Sequence, residues 1–332
     1  MLPRHKIVGH ATPLERLDRL SELLDIELFI KRDDLAGPTL GGNKSRQLEY
    51  YFGAALEQNA DVVLITGALQ SNFARLAASV ARSLGIRPII QSEERVPATS
   101  DAYRNSGNVM LSRLMGTEIL TYPVGEDEAG ADHALEQKAE ELRRAGHRPY
   151  VIHLSEGHPP LGALGYVDAA KEIMDQDSGF DTFVVGSGSG STHAGLIAGL
   201  RGAGSAATVV GGCVRRSADM QAPRIRRLLG RLAHLYPPAA DVTPEDVCVW
   251  DGALEPGYGR LGAQAKEAMR MMSELEGLML DPVYTAKSFA AIPGLLKSGE
   301  IARGSKVCFV HTGGLAALFA YADDPALSDV LI

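Results

Sequence analysis

The chain has 332 residues, 45% of them hydrophobic and 22% charged, enough apolar side chain for two domains or one large α/β unit and too much for a disordered polypeptide. Its 33 basic and 41 acidic residues leave a net charge of −8, which argues against a nucleic-acid or anionic-membrane partner. Cys213, Cys248 and Cys308 lie far apart and form no CxxC pair, so neither a metal site nor a disulfide framework is expected, and a reducing cytoplasmic compartment is.

The opening residues contain no apolar stretch of the signal-peptide kind, and no run approaches the ~20 apolar residues of a membrane span. Short apolar runs then alternate with amphipathic ones. The pattern predicts a strand at 26–30, a helix at 43–56, a strand at 62–66 and a helix at 71–84. A strand at 88–91, a helix at 101–115, a strand at 118–122 and a helix at 131–145 follow. Next come a strand at 150–154, a helix at 165–175, a strand at 182–185 and a helix at 193–200. Segments 209–213, 225–235, 262–277, 293–298 and 306–311 continue the alternation. Strands alternating with helices of this length mean βαβ units and parallel sheets, with ligands at the carboxyl ends of strands. The proline-bearing stretch 236–246 reads as a surface loop, and the acidic run 125–132 as a solvated turn and helix start.

Three strand-to-helix junctions carry chemistry. In FVVGSGSGSTHAGL, a Gly/Ser/Thr turn opens a helix, and its backbone N–H groups, hydroxyls and helix dipole make a phosphate cradle. It lacks the lysine of a Walker A loop, and no acidic residue ends a second strand ~20 residues on, as a dinucleotide site requires. A phosphate monoester on a small cofactor fits better, although a plain βα turn or an N-cap remains open. Lys44 follows Gly41-Gly42-Asn43 at a helix start, where the dipole disfavours the ammonium form; it reads as a Schiff-base lysine or an ordinary exposed one. Arg32, Asp33 and Asp34 read as local ion pairs and caps. Ser71 reads as an N-cap that, beside a cofactor, could relay a proton or bind a carboxylate.

Together the segments IKRDDLAGPTLGGNKSRQLEY, TGALQSN, VVGSGSGSTHAGL, LDPVYTAKS and FVHTGGLAALFAY resemble the fold type II pyridoxal-phosphate enzymes, in the D-cysteine desulfhydrase and 1-aminocyclopropane-1-carboxylate (ACC) deaminase family. The likeness runs in order through almost the whole chain. It implies an α/β fold of parallel-rich twisted sheets flanked by helices, with pyridoxal phosphate in a cleft between two domains. The expected large domain is 1–46 plus 157–332, with 47–156 inserted as the small one. Carried over by position, Lys44 is the lysine that binds the cofactor covalently and moves the Cα proton. Asn72 lies beside the phenolic oxygen, and Ser71 near the substrate carboxylate. Gly188, Ser189, Gly190, Ser191 and Thr192 form the phosphate loop, and Tyr258 and Tyr284 are active-site tyrosines.

Thr285 follows DPVY where ACC deaminases carry Glu, and Thr312 stands where they carry Leu. Both match the desulfhydrase branch and would serve a neutral ring nitrogen. Phe73, Leu76 and SEGHPP at 155–160 depart from the pattern near the substrate side. The implied activity is α,β-elimination from a small amino acid, D-cysteine first, by a homodimer. Cysteate desulfonation, ACC deamination, racemisation, a non-catalytic carrier of the cofactor and an NAD-type oxidoreductase are the competing readings.

Overall fold

In the computed structural model, which describes residues 2–97 and 99–330, ten strands form two sheets. In chain order they are β1 (Leu14–Arg16), β2 (Glu27–Lys31), β3 (Val62–Ala68), β4 (Arg87–Glu93), β5 (Glu118–Tyr122), β6 (Pro149–Ile152), β7 (Thr182–Ser187), β8 (Thr208–Cys213), β9 (Cys248–Trp250) and β10 (Lys306–Val310). The six-stranded sheet runs β1-β2-β10-β7-β8-β9 and the four-stranded one β5-β4-β3-β6. Every pairing is parallel except that of β1 with β2. The chain leaves the first sheet after β2, builds the whole second sheet, and returns at β7. Strand β10 then bridges the gap, with Phe309 opposite both Ile30 and Val184.

The strands read as continuous apolar runs because helices cover both faces. Successive side chains serve different layers: Phe183 and Val185 pack on one side of the large sheet and Val184 on the other. In the small sheet Val63 and Ile65 face one cluster, and Val62 and Leu64 the opposite one.

Glycine decides how the helices meet. Helix Leu161–Gln176 packs between helices Lys44–Glu57 and Ser191–Gly202. A Cβ on Gly165 would lie 2.2 Å from the Arg46 carbonyl, and one on Gly195 2.1 Å from that of Ala163. These backbone-to-backbone contacts set the Lys44 helix and the glycine-serine loop side by side, although Lys44 and Gly188 are 144 positions apart in sequence.

The expected helix at 101–115 is two, Asp101–Asn105 and Gly107–Leu114, because Ser106 between them is fully extended. The two three-residue edge strands, β1 and β9, carry no periodic pattern in sequence. The stretch 236–246 folds into two 3-10 turns, Pro237–Asp241 and Pro244–Asp246, and buries Ala239.

Candidate active site

A deep cleft at the carboxyl ends of β3, β4, β7 and β8 gathers most of the predicted residues, enclosing about 1060 Å³ including open solvent. Lys44, Ser71, Asn72, Gly188, Ser189, Gly190, Thr192, Tyr258, Tyr284 and Thr312 all line it.

Lys44 is delivered by its turn. Gly42 has φ +129°, a region side-chain-bearing residues rarely enter, and a Cβ there would press to 3.2 Å from the Thr312 carbonyl. Asn43 N–H donates to that same carbonyl at 3.1 Å, tying the turn to the end of β10. The helix behind is fixed by a buried ion cluster. Arg46 donates to Asp33 Oδ1 at 2.8 Å and to Glu172 Oε2 at 2.9 Å, and Lys31 Nζ reaches Glu172 at 2.6 Å. Asp33 thus pairs with a residue thirteen positions on, whereas Arg32 and Asp34 form the local pair expected of this segment. Among the described residues Lys44 Nζ has neither hydrogen bond nor ion pair, and it sits 5.2 Å from the Phe73 ring centroid. Burial lowers its amine pKa to about 8.

Ser71 caps helix Asn72–Ser83, its Oγ accepting from Ala74 N–H at 3.1 Å, while also lining the cleft. Asn72, first in that helix, has its Oδ1 engaged by Asn108 Nδ2 at 2.9 Å. Its amide nitrogen is therefore left to donate.

The Gly-Ser loop is a cradle held from behind. Gly190 has φ +104° and precedes helix Ser191–Gly202. Gln221 donates to the Gly188 carbonyl at 3.0 Å and Arg224 to that of Ser189 at 3.0 Å, so the carbonyls turn outward. The N–H groups stay free for an anion. Thr192 Oγ1 accepts from Asn43 Nδ2 and Gln47 Nε2, each at 2.8 Å, which leaves its hydroxyl hydrogen as donor. Ser191 heads the helix and lines a neighbouring recess with Glu156 and Arg224 rather than the cleft itself.

Tyr258 and Tyr284 share a 2.5 Å hydroxyl contact on the far wall. Thr285 does not reach the cleft. It is fully buried, its hydroxyl donating to Asp281 Oδ1 at 2.7 Å and accepting from Asp281 N–H at 2.7 Å. It caps the DPVY turn, where burial also raises the pKa of Asp281. Thr312 does line the cleft, and among the described residues its hydroxyl has no partner. Of the two threonines expected at the ring nitrogen, Thr312 lines the cleft and Thr285 does not.

Several charged residues of the cleft were not legible as functional. Glu93 is the last residue of β4, Arg95 lies just beyond it, and Arg215 follows β8. The usable signal was position, at or just past the carboxyl ends of parallel strands. The acidic run is not merely solvated: Glu128 lines the cleft and holds Arg215 at 2.9 Å, Arg216 at 2.5 Å and Arg224 at 3.1 Å, joining the two sheets across the mouth. Asp132, His153 and His158 lie close enough to suggest an ion site. Their imidazoles stack at 3.5 Å with 3° between planes, however, so the in-plane lone pairs cannot converge on one ion unless a ring turns.

An unpaired, easily deprotonated lysine, a helix-start anion cradle and an oriented amide donor fit a phosphorylated aldehyde cofactor. The comparisons agree. The D-cysteine desulfhydrase of Yersinia enterocolitica is 38% identical over 324 residues, 96% of each chain. That of Klebsiella pneumoniae strain 342 is 38% identical over 327 residues, again 96% of each. A solved ACC deaminase homologue superposes with a TM-score of 0.87 at 35% identity, covering 98% of this chain and 96% of its own. Tomato threonine deaminase isoform 2, with a TM-score of 0.66 at 15% identity over 98% of this chain and 83% of its own, shares the fold. The architecture is that of the fold type II pyridoxal-phosphate enzymes. With the profile of the "Pyridoxal-phosphate dependent enzyme" family matching residues 7–313, the lysine, cradle and cleft belong to a member of that family.

Proposed function

We propose that the chain catalyses α,β-elimination from D-cysteine, with water consumed and pyruvate, hydrogen sulfide and ammonia released. The observation that carries this reading is Lys44, an unpaired amine at the floor of the cleft beside the phosphate cradle. The 38% identity to D-cysteine desulfhydrases over nearly the full chain supports the choice of substrate.

Bound pyridoxal phosphate supplies an electron sink for the pair released at Cα. The chain's own residues do the rest. Lys44 takes the Cα proton, its lowered amine pKa keeping part of it neutral near pH 8. The Gly188–Thr192 backbone and the Thr192 hydroxyl bind the phosphate, Ser191 contributing through its N–H. Asn72 donates to the phenolic oxygen. Thr312 offers its hydroxyl to the ring nitrogen. Ser71 and the start of its helix receive the substrate carboxylate. Tyr258 and Tyr284 close the opposite wall and exclude water.

The same reading takes residues 47–156 as the small domain of a cytoplasmic homodimer. No helix of the described residues is long and apolar enough to cross a membrane. The test is the reconstituted enzyme with D- and L-cysteine, scored for pyruvate and sulfide, beside Lys44→Ala. Turnover of D-cysteine that Lys44→Ala loses is expected. Absence of pyruvate from both enantiomers would overturn the assignment.

A further inference from the structure

Lys44 is committed to the cofactor, which leaves two arginines lining the cleft. Arg215 is fully engaged: Nε and Nη2 meet Glu126, and Nη1 meets Glu128. Arg95 is different. Its Nε donates to Glu93 Oε2 and its Nη2 to Glu93 Oε1, both at 2.9 Å, while Nη1 has no partner among the described residues. Glu93 is itself 1% exposed and accepts from Thr66 Oγ1 at 2.8 Å. The guanidinium is thus gripped along one edge and presents the other.

The placement of that free edge follows from the sheet. Glu93 stands opposite Ala68 in the β3–β4 ladder, so Arg95 emerges one strand over from the Gly67–Ser71 loop that receives the carboxylate. Its charge also acts on Tyr258 and Tyr284, offsetting part of the burial that raises both phenols. Ser71, Arg95, Tyr258 and Tyr284 line one cleft, so a substrate whose carboxylate sits at Ser71 has Arg95 and the tyrosine pair among the groups open to its side chain.

We propose that Arg95 anchors the sulfur substituent on the substrate's Cβ, a sulfonate that is already anionic or a thiol that becomes anionic as it leaves. The proposal rests on the elimination reading above and deepens it. When the Cβ–S bond breaks, its electron pair leaves on sulfur, as hydrosulfide from a thiol or sulfite from a sulfonate, and negative charge growing beside a fixed guanidinium is stabilised. The buried Glu93 brace matters because it fixes the fork without consuming its free edge.

The test compares equilibrium binding with turnover. The holoenzyme is titrated by calorimetry with 3-sulfopropionate and with butyrate; both lack the amine and neither is turned over. The wild type is expected to bind 3-sulfopropionate at least tenfold more tightly, and Arg95→Gln to abolish that preference while holding butyrate within about twofold. Retained butyrate binding reports an intact site. Should Arg95→Gln lose it, Arg95→Lys, which keeps the charge, is read instead and should retain part of the preference. In turnover, Arg95→Gln should raise KM for D-cysteine about tenfold and leave β-chloro-D-alanine within threefold. A wild type without preference, or a preference that survives Arg95→Gln, overturns the proposal. A wild type that prefers the sulfonate but eliminates neither amino acid overturns the elimination reading and leaves the anion anchor standing.

Discussion

Asn108 holds Asn72: its Nδ2 donates to Asn72 Oδ1 at 2.9 Å, and the direction of that bond is dictated from below. Arg75 is completely buried, has no carboxylate partner among the described residues, and donates Nε–H to Asn108 Oδ1 at 2.9 Å. Arginine can only donate, so the Asn108 oxygen must face it and the Asn108 nitrogen must face Asn72. The Gln70 carbonyl, accepting from the same nitrogen at 3.1 Å, enforces the same polarity. Asn72 is left with its nitrogen towards the cleft, as a partner for a phenolate oxygen must be.

Asn108→Asp reverses that polarity. The carboxylate pairs with Arg75 but cannot donate, so Asn72 turns its nitrogen inward and its oxygen to the cleft. A hydrogen bond to a charged group contributes about 1.5–3 kcal/mol. Pyridoxal-phosphate affinity, measured by equilibrium dialysis of the apoprotein, should fall tenfold or more. Unchanged affinity would show that Asn72 does not meet the cofactor.

Lys44 gives the second prediction. Burial lowers its amine pKa from 10.5 to about 8, the helix N-terminus acts in the same direction, and among the described residues no carboxylate pairs with the amine. The rate at which the apoprotein captures pyridoxal phosphate covalently should rise with pH, with a midpoint near 8, and flatten above it. A rate still climbing towards pH 10.5 would mean that the amine is solvated. Lys44→Ala should lose both the capture and nearly all turnover.

Much of this arrangement was legible in sequence because it is local. A strand, a glycine turn and a polar helix start announce themselves within ten residues, which is why Lys44, Ser71 and the Gly188–Thr192 loop stand out in sequence, whereas Asn72 follows from the family resemblance. What stayed hidden depends on distant partners. Nothing near Asp33 indicates that it will pair with Arg46 and Tyr166 rather than with Arg32. Glu128 sits in an acidic run that looks solvated until three arginines from another part of the chain surround it. Thr285 illustrates the same limit: the motif places it next to the tyrosine, but only the packing shows its hydroxyl spent on Asp281.

Acid should destabilise the protein through His193. The ring is fully buried behind the phosphate loop, 3.1 Å from Ser187 Oγ, and burial lowers its pKa from 6.5 to about 4. The unfolded chain therefore binds more protons than the folded one between these values, and stability falls as pH drops through that window. The separation corresponds to about 3 kcal/mol at 1.36 kcal/mol per pH unit. Urea unfolding at pH 7, 6, 5 and 4 should show this loss superimposed on that of the paired carboxylates. His193→Gln, although less stable at pH 7, should show a visibly shallower decline. An identical pH slope in both proteins would rule out His193 as its source.

The two threonines make opposite predictions. Thr285 donates to the buried carboxylate of Asp281 and accepts from its N–H, so Thr285→Val strips a carboxylate of one donor and should cost about 1–3 kcal/mol of stability. Removing that donor also raises the pKa of Asp281 further, which burial has already pushed up. The cofactor's visible spectrum should hardly change, because Thr285 does not line the cleft. Thr312→Val removes a hydroxyl that supports nothing else, so the melting temperature should hold within a few degrees. The spectrum and the elimination rate should shift instead, since the ring nitrogen loses its partner. Thr285→Glu, which the motif comparison suggests as a route to ACC deamination, would set a second carboxylate against Asp281 and is expected to unfold the turn rather than gain the activity. Scanning calorimetry and absorbance between 300 and 500 nm on the two valine variants separate these roles. A stable Thr285→Val with an altered spectrum would restore Thr285 to the cofactor's side of the wall.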